Sequence, residues 1–163
     1  MSNQQNQSHR GLFKAILKTG LLAGTCDITC AIIQYTIITG NNPVRIFYYV
    51  ASAVFGKQAL EGGAAIAIAG GLFHYAIAML FTAFFFLLYP RLPFLSRNIV
   101  LSGLGYGALV WVLMNYVVVP LSRIGRFPSN LFNAITGLLI IMVAIGLPIA
   151  ILTYRFYVSR KDR

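Results

Sequence analysis

The chain has 163 residues, of which 58% are hydrophobic and only 10% charged, with 13 Lys and Arg against 3 Asp and Glu. Its mean hydropathy is +0.77. A soluble domain carries about 25% charged residues, so this composition excludes a water-soluble globular fold. The net charge of +10 is read as basic flanks beside anionic lipid, with no nucleic-acid partner.

The opening stretch "MSNQQNQSHR" is polar and amide-rich, which predicts a disordered tail over residues 1–11. Arg10, Lys14 and Lys18 then precede "GLLAGTC", an order that imitates a signal peptide. Thr25 before Cys26 is too large for a good cleavage site, and the apolar block continues to Thr39. An uncleaved first span over about 15–39 is therefore expected. Cys26 and Cys30 stand one helical turn apart inside it. They cannot form a framework of staples and read as small hydrophobes.

"TGNNP" follows, with Gly40 as a helix stop and Asn42–Pro43 as a helix start. A short helix over about 43–59 is predicted, aromatic at Phe47, Tyr48, Tyr49 and Phe55. It is too short to span and reads as an amphipathic helix lying in the membrane interface. Glu61 then precedes the second span, over about 62–89, where a carboxylate suits the helix dipole or pairs with Arg45 or Lys57. The basic loop "PRLPFLSRN" leads to a third span over about 99–119, closed by Pro120. Asn130 caps a fourth span over about 131–154. Pro148 is expected to kink it one turn before its end, and residues 156–163 form a basic tail.

The apolar blocks are continuous rather than alternating, which argues for helices over a barrel. The expected fold is all-α: a membrane protein of four transmembrane helices plus one short interfacial helix, in one domain over 12–155. Four spans put both termini and the middle loop on one side. That side holds nine of the cations and the other holds four, so the positive-inside rule places both termini in the cytoplasm.

Polar residues within the spans are the candidate functional sites. At about 100° per residue, Asp27 shares a face with Gly20, Gly24, Ala31 and Gln34. His74 shares one with Gly63, Ala67, Gly70, Gly71 and Ala78. Small residues at this spacing let helices approach closely, which aims both faces into the bundle. The third span adds Gly103, Gly107 and Asn115. Asp27 and His74 both stand near mid-span on helices of opposite direction, so they are placed to meet. A charge at the bilayer centre costs at least about 2.5–3.5 kcal/mol, which a partner offsets.

The expected ion- or proton-binding residues are thus Asp27, His74, Gln34 and Asn115. Gly24, Gly63, Gly70, Gly71, Gly103 and Gly107 are the expected packing positions. Asp27, Cys30 and His74 are weak candidates for a metal, since a structural zinc wants four ligands. No cofactor and no catalysis are expected: "GLGYG" at Gly103–Gly107 lacks the strand a phosphate loop needs, and a lone aspartate lacks the partner of an acid dyad.

"GLLAGTCDI", "PVRIFYYVAS", "GKQALEGGAAIAIAGGLFHYAIA" and "YGALVWVLMNYVVVPLS" together resemble a family of small uncharacterised bacterial four-span integral membrane proteins. The resemblance covers roughly Gly20 to Ser122 and is weak over the fourth span. It implies that Asp27, Gly62, Gly63, His74, Asn115, Pro120 and Ser122 occupy recurrent positions. It also favours a bacterial inner membrane, and it implies no reaction. The expectation is a small membrane protein that binds or conducts protons or small cations through an Asp27–His74 cluster. The alternative is a structural or assembly protein in which the cluster only fixes packing. The lipid bilayer is the expected partner, with a homo-oligomer or another membrane protein possible on the glycine-rich faces.

Overall fold

A computed structural model describes residues 2–125 and 130–161. Its helices are α1 (Ser2–Thr39), α2 (Val44–Phe55), α3 (Ala64–Leu88), α4 (Ile99–Leu113), α5 (Val119–Leu121), α6 (Leu131–Ile141) and α7 (Leu147–Lys161). Four helical stretches are long and apolar enough to cross a membrane: Arg10–Thr39, Ala64–Arg91, Ile99–Leu121 and Leu131–Ser159. Together with α2, a shorter apolar helix, they make the all-α membrane bundle that the hydropathy predicts. Met1, residues 126–129 and residues 162–163 lie outside the described residues.

Several boundaries differ from the expected ones. The backbone of α1 is helical back to Ser2, through the stretch whose composition predicts a disordered tail. No Gly or Pro precedes Gly11, and extending a formed helix costs little per residue. The second helix stops at Phe55 rather than near 59 because Gly56 turns the chain at φ 78°. A 3-10 turn over Lys57–Glu61 then leads to Gly62 and Gly63, both at positive φ, and so into α3.

The last two spans contain π-helical turns, Met114–Val118 and Met142–Gly146. Each ends two residues before a proline, Pro120 and Pro148. Proline has no N–H for the carbonyl four residues back, and its ring crowds that oxygen. The turn widens in response, so that Val119 N–H reaches the Met114 carbonyl and Leu147 N–H reaches the Met142 carbonyl. Local π adjustment of this kind keeps backbone groups satisfied in lipid. The helices consequently run through both prolines. The third span continues to Leu121, and Pro148 sits well inside the fourth rather than one turn from its end.

Glycines set the seams. Gly103 meets the Gly146 carbonyl and Ala150, and Gly107 lies on the backbone of Met142, so α4 packs backbone to backbone on the fourth span. Gly70 of α3 lies against the Phe47 carbonyl and pins α2 across it, with Gly71 under the Phe47 ring. Gly20 and Gly24 admit Met79, Tyr75 and Ala78 of α3 onto α1. By contrast α3 and α4, consecutive in the chain, form no comparable backbone seam. They are bridged by side chains: Tyr106 O–H donates to the Phe81 carbonyl at 2.6 Å, and the Phe85 and Tyr106 rings lie 4.6 Å apart. This aromatic core includes fully buried Phe85 and Phe86, with Tyr157 O–H donating to the Phe86 carbonyl at 2.9 Å.

Candidate functional site

The site begins with the narrow face of α1. Gly24 has no side chain to hold α3 away, and a Cβ there would stand 3.1 Å from both Ala78 and the Tyr75 ring. At that separation His74 Nε2–H donates to the Gly24 backbone carbonyl at 2.9 Å. The next residue on each helix repeats the tie, with Thr25 Oγ1 and the Tyr75 hydroxyl 2.9 Å apart. Thr25 and Tyr75 were not among the expected site residues. Their only sequence signal is adjacency to Gly24 and His74.

Because a carbonyl only accepts, the Gly24 contact fixes the proton on Nε2 of His74. Nδ1 is then the nitrogen left to take up or release a proton. The Asp27 carboxylate, one turn along α1 from that bond, makes no hydrogen bond or ion pair with another described residue. The histidine acts on it through space rather than through a bond. The direct Asp27–His74 pair that the two helical wheels invite is replaced by a histidine-to-backbone bond and a carboxylate left facing a cavity.

That cavity has a volume of about 210 Å³ and is lined by Asp27, His74 and Asn115 together with apolar side chains from α2 and from the second, third and fourth spans. Asn115 reaches it from the first π turn. Its Nδ2 donates to the Trp111 carbonyl of its own helix at 2.9 Å, which leaves Oδ1 as its unused acceptor. Val50 of α2 contributes to the wall, as do Ile141 just before the second π turn and Ile145 within it. A water takes up roughly 30 Å³ of liquid, so the space suits a small cluster of waters and is too small for most metabolites.

Other expected site residues lie elsewhere. Gln34 and Cys30 line a separate apolar recess with Ile37 and Phe132, between α1 and α6. Gln34 shares an azimuth with Asp27 but sits two turns further along, where its neighbour is α6 rather than α3. Cys30, one turn along α1 from Asp27, thus lines this recess and not the Asp27–His74 cavity. No group of three His, Cys, Asp or Glu side chains able to hold a metal is gathered among the described residues. Among the expected packing glycines, Gly24, Gly70, Gly71, Gly103 and Gly107 lie against neighbouring helices. Gly63 faces open space and serves its φ of 106° instead. Glu61 closes the 3-10 turn without an ion pair to Arg45 or Lys57. Comparison with protein families, with curated proteins and with solved structures finds no match.

Proposed function

We propose that this is a bacterial inner-membrane protein, with both termini in the cytoplasm, that binds protons or small cations at Asp27 and passes them through the hydrated cavity. The observation that carries this reading is the carboxylate itself. A mid-membrane charge is costly and ordinarily finds a protein partner, whereas Asp27 faces the cavity with no hydrogen bond to another described residue. Water or a cation is the natural occupant beside it. His74 completes the chemistry. Its Nδ1 exchanges a proton with cavity water while Nε2–H stays on Gly24, so proton exchange leaves the α1–α3 contact intact. Asn115 Oδ1 supplies a neutral acceptor on the same cavity. The proposal is non-enzymatic.

Purified protein in liposomes carrying an interior pH dye tests this. Wild type is expected to collapse an imposed pH gradient faster than protein-free liposomes, and Asp27→Asn to return the rate to that of the empty vesicles while unfolding at the wild-type temperature. Equal rates for wild type and the variant would rule the role out.

A second reading has its own support in the two ties from His74 and Tyr75 to Gly24 and Thr25. On that reading the protein is a structural or assembly component, and the polar residues fix the register of α1 on α3. It predicts that His74→Ala and Tyr75→Phe each lower thermal stability and that their losses are non-additive, with no gradient collapse by wild type.

A further inference from the structure

The absence of a backbone seam between α3 and α4 leaves an open groove on that side of the bundle, near the end that carries the termini. It has a volume of about 600 Å³. Its walls are apolar, with Leu88 and Phe85 on one side and Leu101 and Leu109 on the other. Its polar members, Arg97, Asn98 and Ser102, are grouped where α4 begins. From Leu101 to Leu109 it follows about 12 Å of helix. Leu101 is 66% and Leu109 44% exposed, and a Cβ on Gly105 between them would meet nothing within 4 Å.

The charge at the polar end is unbalanced. The chain has only 3 acidic residues: Asp27 is in the cavity, Glu61 precedes α3, and Asp162 lies outside the described residues. The Arg97 guanidinium makes no hydrogen bond or ion pair with another described residue; only its backbone N–H is engaged, on the Phe94 carbonyl. Arg91, in the same loop, instead donates to the Leu87 carbonyl and so caps the end of α3. Two arginines six residues apart thus have different tasks: one closes a helix, and the other stands uncompensated at the mouth of an apolar groove. Asn98 accepts from the Leu101 N–H at the start of α4, so the positive end of that helix faces the same place.

We infer that this groove is a binding site for an anionic phospholipid, with one acyl chain along Leu101–Leu109 and the phosphate on Arg97. The long apolar trough suits an acyl chain, and its single cationic end suits an anionic headgroup. The site is independent of the Asp27 cavity, and its failure would leave the proton reading untouched.

Native mass spectrometry of the protein released from mixed phosphatidylglycerol and phosphatidylcholine micelles, with matched acyl chains, reads the preference directly. Wild type is expected to retain the anionic lipid about fivefold over the zwitterionic one, the increment of one cation near an anionic surface. Arg97→Gln should bring the two to parity. Arg91→Gln should keep the preference, because that guanidinium is occupied by Leu87. Gly105→Leu starts from a position whose Cβ meets nothing within 4 Å, projects into the trough and should lower retention of both lipids. No preference in wild type overturns the site. So does a preference that survives Arg97→Gln, or retention unchanged by Gly105→Leu.

Discussion

The aromatic half of the bundle and the cavity half solve the same problem in opposite ways. Around Phe85 the space between helices is filled by rings, and the phenols of Tyr106 and Tyr157 each give their proton to a backbone carbonyl on another helix. Around Asp27 the helices are held close at Gly24, the two π turns contribute Asn115 and Ile145 to the cavity wall, and the carboxylate finds no hydrogen-bond partner among the described residues. The first region gains stability from satisfied polar groups at fixed positions. The second keeps a polar group available. The difference follows from what α3 presents at each level: Phe85 and Phe86 fill their own neighbourhood, whereas the stretch from His74 to Phe81 lines the cavity.

Substitutions sharpen that contrast, starting with the seam both halves depend on. Gly107→Val forces a side chain into the Met142 backbone, which moves only if the helices separate. A loss above about 3 kcal/mol is expected, beyond ordinary overpacking, seen as failure to recover monodisperse protein in detergent. Phe85→Ala should cost about 3 kcal/mol, at the low end for such truncations. In a bilayer only the lost packing counts, since lipid is as apolar as the core. Denaturant titration in mixed micelles measures it. The smallest effect discriminates best. Tyr106→Phe should lose about 1 kcal/mol with its hydrogen bond, whereas Asp27→Asn should stay within about 0.5 kcal/mol of wild type, because no protein hydrogen bond is lost. A larger loss for Asp27→Asn would mean that the two halves are held together alike.

Four long apolar helices and a shorter one were legible because hydropathy over twenty residues is a strong signal, whereas the start of α1 at Ser2 was not. Asp27, His74 and Asn115 were legible as a group because small residues mark the faces that turn inward. What periodicity supplies is azimuth, not the identity of the neighbour at a given depth. Gln34 and Asp27 share a face of α1, yet one meets α6 and the other α3. The role of Val50 was hidden for a related reason: the angle of α2 is set by Gly70 on a different helix. The widened turns were hidden because proline predicts a disturbed helix without saying whether it ends, bends or swells. The repeated interval from π turn to proline is visible in the sequence only after the turns have been seen.

Depth gives the Asp27 cavity one more property. The carboxylate lies well inside the first span, far from either cluster of basic flanks. A charge that reaches it from one side has already crossed part of the transmembrane potential, which is worth about 2.3 kcal/mol per elementary charge per 100 mV over the full thickness. Near mid-depth the share is about half of that. On the proposed reading, occupancy of this cavity at a cell's resting polarisation is therefore a function of voltage as well as of concentration, and the two sides of the membrane are not equivalent sources.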